Sequence, residues 1–233
     1  MSEALRVEGL SAAYGQAVAL REVDLVVAHG EGLGVIGRNG AGKTTLLRTV
    51  ACLHPCRSGS IWMDGVELSG KPPHEVARLG LSIVRERAPV SSDLTVVENI
   101  RLGADLARMR DREPLPWDEV WAIFPALLPA AQKRAGLLSG GQRQLLALAT
   151  ALSSAPSLLI LDEPSAGLAA EVCVSVFGVI KRMRGEGLTV LVAEQNRAWL
   201  TGVADEAIHL EAGRIQGTIS LRSGHGVYPA DTV

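Results

Sequence analysis

The sequence predicts an α/β fold in which helices cover both faces of a mostly parallel sheet. Three observations support this prediction. Short apolar runs alternate along the chain with stretches that carry helix signals, the pattern that builds parallel sheets. A glycine-rich segment, residues 37–44, joins one apolar run to a helix. A stretch of short helices broken by prolines, residues 86–137, interrupts the alternation and predicts a helical subdomain inserted into the core.

The individual elements follow from apolar runs and helix signals. The strands are short and largely apolar, as expected for strands buried on both faces. In chain order we predict strands at residues 33–36, 60–63, 81–84, 158–161, 188–193 and 207–210, and helices at residues 44–51, 139–153 and 171–184.

The inserted stretch carries helix signals of its own. Thr95 and Glu98 form a T-x-x-E capping box, which marks the start of a helix. Trp117 and its apolar neighbours at i+3, i+4 and i+7 form one stripe along a second helix. We call these four residues the tryptophan stripe, and its simplest interpretation is the core of the subdomain.

Composition excludes some functions. The 233 residues contain 23 Lys plus Arg and 25 Asp plus Glu, a formal charge of −2, and only 3% are aromatic. Nucleic-acid binding without sequence preference needs excess positive charge, and base stacking needs aromatic rings, so we expect no nucleic-acid partner. The chain begins without a signal-peptide pattern, and no apolar run approaches the roughly 18 residues of a membrane span. Any membrane role is expected to come through a partner.

Residues 37–44, the phosphate loop, match the phosphate-binding pattern G-x-x-x-x-G-K-[ST] between a strand and a helix. Glycines let the backbone curl so that successive N–H groups point into one concavity, and the helix adds the positive end of its dipole. Lys43 is expected to reach the β- and γ-phosphates, and the Thr44 hydroxyl to ligate Mg²⁺. The predicted nucleotide cradle consists of Gly37, Arg38, Asn39, Gly40, Ala41, Gly42, Lys43, Thr44 and Thr45.

The predicted strand at residues 158–161 ends in two carboxylates, Asp162 and Glu163. The carboxyl end of a parallel strand is where α/β sheets place their ligands. Asp162 is expected to interact with Mg²⁺, and Glu163 to polarise an attacking water. Such a pair alone is often merely solvated, but together with the phosphate loop it indicates nucleotide hydrolysis.

Residues 138–142 read Leu-Ser-Gly-Gly-Gln and stand immediately before a predicted helix. Ser139 can cap that helix, and the two glycines let an anion approach the backbone closely. In isolation, a plain helix cap is the simpler interpretation. The order of phosphate loop, Leu-Ser-Gly-Gly-Gln and Asp-Glu strand, however, resembles the ATP-binding-cassette (ABC) ATPases from about Leu5 to Ile215.

This resemblance implies a domain organisation. The fold would be a RecA-like phosphate-loop NTPase core with a mostly parallel sheet, an antiparallel β part near the N-terminus and the inserted helical subdomain. The core would comprise residues 1–85, with the phosphate loop, and residues 138–233, with the signature segment 138–142 and the Asp-Glu strand. The helical subdomain would comprise residues 86–137.

The resemblance also implies a second cassette, identical or homologous, because cassettes of this family close head to tail around two ATP molecules. Ser139 and Gly141 are then expected to contact the γ-phosphate that is bound on the partner. Tyr14 stands where the family stacks an aromatic ring on adenine; a core tyrosine is the alternative. Residues 165–168, Ser-Ala-Gly-Leu, look like the loop that couples the two sites, and we call them the coupling segment.

Two positions depart from the usual family pattern. Where the family has a Gln that contacts Mg²⁺, this chain has Arg85-Glu86-Arg87, and Glu86 is the nearest match. A carboxylate can ligate Mg²⁺, although it adds negative charge near the triphosphate. The switch histidine is replaced by Gln195, which can hydrogen-bond the γ-phosphate but carries no charge. Both departures resemble the ATP-binding subunits of branched-chain amino-acid importers.

The resemblance therefore implies an ATPase that uses ATP and Mg²⁺ and works with transmembrane permease subunits and an extracytoplasmic solute-binding protein. Its location would be peripheral, on the cytoplasmic face of the plasma (inner) membrane. The tryptophan stripe then has a second interpretation, a groove for a cytoplasmic helix of the membrane subunit. The usual Pro-Glu-Gly-Arg of the first loop is absent, with Arg85 to Ala88 in its place.

Two other functions stay open. The first is a partner cassette that binds ATP but hydrolyses it weakly, which Glu86 and Gln195 motivate. The second is a soluble ABC ATPase without a transport role. Against it, residues 45–138 are too short, and lack the sustained heptads, for the coiled coil of chromosome-maintenance relatives.

Overall fold

Two β-sheets with flanking helices make up the computed structural model, which describes residues 2–86 and 90–221. The strands in chain order are β1 (Glu3–Tyr14), β2 (Ala17–Ala28), β3 (Gly32–Ile36), β4 (Ser58–Met63), β5 (Val66–Glu67), β6 (Leu81–Val84), β7 (Leu158–Asp162), β8 (Thr189–Ala193), β9 (Glu206–Glu211) and β10 (Arg214–Ser220). The α-helices are α1 (Lys43–Val50), α2 (Pro73–Leu79), α3 (Val96–Arg108), α4 (Trp117–Ile123), α5 (Gly140–Ser153) and α6 (Ala170–Gly185). Short 3₁₀ helices occupy Pro125–Ala130, Ala135–Leu137 and Arg197–Leu200.

The larger sheet has six strands in the order β10-β9-β3-β8-β7-β6. Its strands from β9 to β6 pair in parallel, and β10 adds an antiparallel edge. Every residue of β7 and β8 is buried, which explains why the sequence shows them as continuous apolar runs. The predicted mostly parallel sheet is confirmed.

The smaller sheet is antiparallel, with the order β2-β1-β4-β5. It confirms the antiparallel part near the N-terminus that the family resemblance implied. The element-by-element prediction had missed β1, β2, β5 and β10, and also α2.

The larger sheet separates two apolar layers. Along β7, Leu158 and Ile160 pack in a layer shared with α1 and the smaller sheet, whereas Leu159 and Leu161 pack in a layer shared with α5 and α6. Successive side chains of a strand point to opposite faces, so β7 is held from both sides. Its carboxyl end, Asp162, is therefore fixed in position at the edge where β3 also ends.

The helices α3 and α4 and two of the 3₁₀ helices lie between β6 and α5 in the chain. The predicted capping box is present, since the Thr95 N–H donates to Glu98 Oε2 at 2.7 Å and the Glu98 N–H donates to Thr95 Oγ1 at 3.2 Å. In the tryptophan stripe, Val120 and Phe124 are buried in the core. The boundaries of the helical subdomain, residues 86–137, stay a prediction. Across residues 2–86 and 90–221, no helix is long and apolar enough to cross a membrane.

Candidate active site

The phosphate loop connects β3 to α1, and its backbone requires glycine at three positions. Gly40 and Gly42 have φ values of +81° and +108°, in the left-handed region that disfavours side chains. At Gly37, a Cβ atom would lie 2.3 Å from the main-chain oxygen of Leu210 in β9. The loop is therefore curled and tightly seated against the sheet.

Lys43 is the first residue of α1 and is 5% exposed. Its Nζ donates to the main-chain oxygen of Gly37 at 2.9 Å and lies 3.5 Å from Glu163 Oε1. The ammonium group is thus held by the loop itself. The N–H groups of the first helical turn have no partner within the helix and favour an anion.

Asp162 ends β7 and is almost fully buried, with 1% of its surface exposed. The Thr44 hydroxyl donates to Asp162 Oδ1 at 3.1 Å, which brings the two predicted Mg²⁺ contacts together. Burial raises the pKa of Asp162 above its ordinary value, and the hydrogen bond from Thr44 acts against that shift. Because burial disfavours the charged carboxylate of Asp162, a nearby cation would stabilise that charged form.

Glu163 follows directly, with a φ of +49° that is uncommon for a residue with a side chain. Its N–H donates to the main-chain oxygen of Ala193 at the end of β8. Gln195 Nε2 donates to both carboxylate oxygens of Glu163, at 3.0 and 2.9 Å. The carboxylate is therefore oriented by Gln195 on one side and by Lys43 on another.

One cleft of about 340 Å³, the phosphate cleft, brings most of these groups together. It is lined by Ala19, Arg38, Asn39, Gly40, Gly42, Lys43, Thr44, Thr45, Glu86, Glu163 and Gln195. Buried Asp162 reaches this cleft through Thr44. The sequence had not indicated Ala19, which β2 supplies from the smaller sheet.

The signature segment lies at a second cleft of about 470 Å³, the signature cleft. Ser139 caps α5, and the Gln142 N–H donates to its Oγ at 3.2 Å, so the predicted cap is confirmed. The lining residues of this cleft are Glu86, Gly140, Gly141, Arg143, Gln144, Ala166 and Gly167. Glu86 lines both clefts, and the coupling segment contributes to the second.

Tyr14 is half-exposed at the end of β1, so the alternative of a core tyrosine is wrong. Its ring packs against that of His54, with 4.3 Å between the centroids. His54 Nε2 lies 3.2 Å from the main-chain oxygen of Ala13. An exposed ring face is what stacking on a base requires, and the adenine contact of Tyr14 stays a prediction.

The sequence analysis missed one buried carboxylate near this site. Glu194 follows β8 and is 2% exposed, and the backbone N–H and hydroxyl of Ser165 donate to it. Burial raises the pKa of Glu194. The available signal was an apolar strand that ends at a carboxylate, the same pattern that pointed to Asp162.

A curled phosphate loop, an Asp-Glu pair at the end of a buried parallel strand and a capped glycine segment define the class of ATP-binding cassettes. Residues 20–166 match the family model described as ABC transporter, and the chain belongs to that family. It is 42% identical over 211 residues to the high-affinity branched-chain amino acid transport ATP-binding protein BraG of Pseudomonas aeruginosa, covering 91% of this chain and 90% of that protein. It is 35% identical to the probable branched-chain amino acid transport ATP-binding protein LivF of Archaeoglobus fulgidus, covering 91% and 89%.

The fold is shared with solved cassettes. One of them, a dimeric post-hydrolysis ATP-binding cassette bound to ADP and Pi, superposes with a TM-score of 0.83 at 22% identity, covering 94% of this chain and 100% of that one. The predicted fold class and the predicted resemblance to ABC ATPases of the branched-chain amino-acid branch are confirmed. The chain is an ABC ATPase.

Proposed function

We propose that this chain is the ATP-hydrolysing subunit of an importer for branched-chain amino acids or related small polar solutes. One observation carries the proposal: a single cleft unites Lys43 and Thr44 of the phosphate loop with Glu163 and Gln195 from the ends of β7 and β8. The solute class is supported by BraG and LivF, which are ATP-binding proteins of branched-chain amino acid transport. ATP would close a pair of cassettes, and hydrolysis would reopen it.

Lys43 and the start of α1 would bind the β- and γ-phosphates. The Lys43 ammonium is already anchored 2.9 Å from the Gly37 oxygen, so little side-chain freedom is lost when the phosphates arrive. Arg38 and Asn39 line the same cleft and add donors around the terminal phosphate. Tyr14 would stack on the adenine.

The oxygen donors of this site fit Mg²⁺. Thr44 Oγ1 and Asp162 Oδ1 lie 3.1 Å apart, and Glu86 lines the same cleft. Within the described part of the chain, no group of three or more His, Cys, Asp or Glu side chains could hold a metal. A site that takes its remaining ligands from phosphate and water suits Mg²⁺, which would neutralise charge on the triphosphate.

Glu163 would polarise the attacking water, and Gln195 would hold the Glu163 carboxylate in place. Two hydrogen bonds from Gln195 fix that orientation, but they also occupy acceptor sites that a water molecule needs. Gln195 cannot supply the positive charge of a histidine. This geometry favours a second candidate function, a cassette that binds ATP, hydrolyses it weakly and pairs with a more active cassette.

A second cassette would complete the site. Gly141 lines the signature cleft, and Ser139 caps the helix that begins there, whereas Lys43 and Glu163 line the phosphate cleft. A head-to-tail pair would place the signature segment of each chain on the γ-phosphate of the other. The likeness to a cassette solved as a dimer supports such an arrangement.

The permease subunit would dock in a groove of about 380 Å³ between α2, α3 and α5, which we call the docking groove. Its lining is mainly apolar and includes Val76, Leu102, Leu106, Ala147 and Ala151. Such a groove suits the apolar face of a permease helix. Of the two interpretations of the tryptophan stripe, this proposal keeps the first, in which its residues pack in the core of the helical subdomain. Arg85 lines the groove, while Arg87 and Ala88, which stand where the family has the end of Pro-Glu-Gly-Arg, lie outside the described residues.

The remaining partner and the location follow from the importer role. An extracytoplasmic solute-binding protein would deliver the solute to the permease. The cassette itself would be peripheral, on the cytoplasmic face of the plasma (inner) membrane, where ATP is available. Purification of the tagged chain from detergent-solubilised membranes should retain multi-spanning permease proteins.

The test is ATP binding and turnover by the purified chain. Glu163→Gln should lower phosphate release by about 100-fold or more while leaving calorimetric Mg-ATP affinity nearly unchanged. Glu186→Gln, a change of an exposed carboxylate at the end of α6, is the control and should match wild type. Absence of Mg-ATP binding, together with no effect of Lys43→Ala, would overturn the proposal. Wild-type chain that binds ATP but barely hydrolyses it would favour the second candidate.

A further inference from the structure

Glu194 is a buried carboxylate without an assigned role in ATP binding or hydrolysis. It stands between the end of β8 and Gln195 and is 2% exposed. Its Oε1 accepts the Ser165 N–H and its Oε2 accepts the Ser165 hydroxyl, both at 3.0 Å, and Gln195 is the next residue in the chain. One carboxylate thus joins the coupling segment to the residue that orients Glu163.

Electrostatics make this link hard to break. Burial and the neighbouring Glu163 both act against the charged form of Glu194, and the hydrogen bonds from Ser165 support it. A buried carboxylate that loses its donors keeps its full desolvation penalty. Ser165 therefore cannot move away from Glu194 unless the end of β8 moves with it.

The coupling segment extends from this anchor to both clefts. On the catalytic side, the Ala166 N–H donates to the main-chain oxygen of Glu163 at 3.0 Å. On the other side, Ala166 and Gly167 line the signature cleft. The Gly167 oxygen would lie 3.3 Å from a Cβ atom placed on Gly141. A displacement imposed at the signature cleft consequently reaches the peptide of Glu163.

We propose that Glu194 is a positioning residue that locks the coupling segment to the strand end carrying Gln195. Binding of a second cassette at the signature cleft then changes the Glu163–Gln195 geometry. In return, nucleotide in the phosphate cleft changes the affinity of the signature cleft for the second cassette. This inference rests on the proposed function, because it requires a cassette pair that binds ATP. If the hydrogen bonds between Glu194 and Ser165 served only local stability, their loss would destabilise the turn and leave the coupling between the two clefts unaffected.

The first test uses ATP-dependent dimerisation of the full chain on the Glu163→Gln background, which removes turnover from the readout. Adding Glu194→Ala should weaken dimerisation with Mg-ATP by about tenfold, as expected for loss of coupling between two sites. Calorimetric affinity of the monomer for Mg-ATP should stay within about twofold of the parent. Glu194→Gln keeps an acceptor oxygen for the Ser165 N–H and an amide donor for its hydroxyl, so it should retain most of the dimerisation.

Steady-state turnover gives the second test. Glu194→Ala should lower kcat and reduce the cooperativity of the ATP response, while KM changes little. Ser165→Ala should show part of the same loss, and the double variant should be no worse than Glu194→Ala, because both changes break one link. Should Glu194→Ala fail to fold, Ser165→Ala and Glu194→Gln still decide the question.

Asp205 provides the matched control for mere loss of stability. Its carboxylate accepts the Gly32 N–H at 3.0 Å and pairs with Arg184, at the end of β3 away from the phosphate loop. Asp205→Asn should lower the melting temperature without altering dimerisation or kcat. If it reproduces the Glu194→Ala pattern, or if Glu194→Ala leaves dimerisation and cooperativity intact, Glu194 is only structural. If wild type binds no ATP, the proposed function fails instead.

Discussion

Gly37 offers a direct test of how the phosphate loop is seated. A Cβ atom built there lies 2.3 Å from the Leu210 main-chain oxygen and 3.1 Å from the Ala41 Cβ. The Leu210 oxygen belongs to strand β9, so it cannot yield in the way a flexible side chain can. Gly37→Ala must therefore push the loop off the sheet. The Gly37 carbonyl that accepts from Lys43 would move with it.

Overpacking of this kind costs roughly 1–3 kcal/mol. In a chain of this size, each kcal/mol lowers the melting temperature by about 2–4 °C, so Gly37→Ala should melt roughly 2–12 °C below wild type. Because the anchor of Lys43 shifts, the Kd for Mg-ATP should rise by about tenfold, which corresponds to roughly 1.4 kcal/mol.

Gly178→Ala is the matched control. Gly178 lies within α6, and beyond the neighbouring helix backbone a Cβ atom there meets no heavy atom within 4 Å. Alanine is favoured over glycine in a helix by about 0.8–1.0 kcal/mol, so this variant should melt slightly higher and bind ATP normally. Thermal unfolding followed by circular dichroism and isothermal titration calorimetry provide the two readouts. A Gly37→Ala chain that melts and binds like wild type would refute the close approach to Leu210.

Three further changes test other parts of the site. Gln195→His should raise phosphate release well above wild type if the chain is a weakly hydrolysing cassette, because imidazolium supplies the charge that an amide lacks; unchanged release argues against that candidate. Tyr14→Ala should weaken ATP binding by about 1–3 kcal/mol in a fluorescence titration, with Tyr14→Phe as the control; equal affinities would exclude adenine stacking. Burial raises the pKa of Glu194, so its contribution to stability is present below pH 4.5 and is lost as pH rises through the raised pKa. Urea unfolding across this range should show a shallower pH dependence for Glu194→Gln, and identical curves would contradict the burial argument.

The phosphate loop and the ends of β3 and β7 could be predicted because their sequence signals, a glycine pattern and short apolar runs, lie within a few consecutive residues. Strand β1 could not, although it is twelve residues long. Its buried residues Ala4, Leu5, Val7, Leu10 and Ala12 follow an uneven spacing rather than strict alternation. Irregularities in the pairing with β2 on both sides of Leu10 account for the extra residue. A bulge shifts the period of two on which strand prediction depends.

Contacts between distant segments set a second limit. Glu194 and Ser165 are 29 residues apart in the chain, and their contact exists only because β7 and β8 are neighbours in the sheet. Tyr14 and His54 likewise meet through the pairing of β1 with the chain around β4. The residue types at these positions were visible in the sequence, but the partners that give them a role were not.

The adjacent residues Arg85 and Glu86 together line three surfaces: the docking groove, the phosphate cleft and the signature cleft. Arg85 lines the docking groove, and Glu86, the next residue, lines both the phosphate cleft and the signature cleft. A permease helix that presses on the groove would displace the backbone at Arg85 and with it the Glu86 carboxylate. Glu86 shares the phosphate cleft with Lys43 and Thr44 and the signature cleft with Gly141. In the proposed assembly, coupling between a permease and the nucleotide would need no long relay through the core, only a shift of the chain where β6 ends.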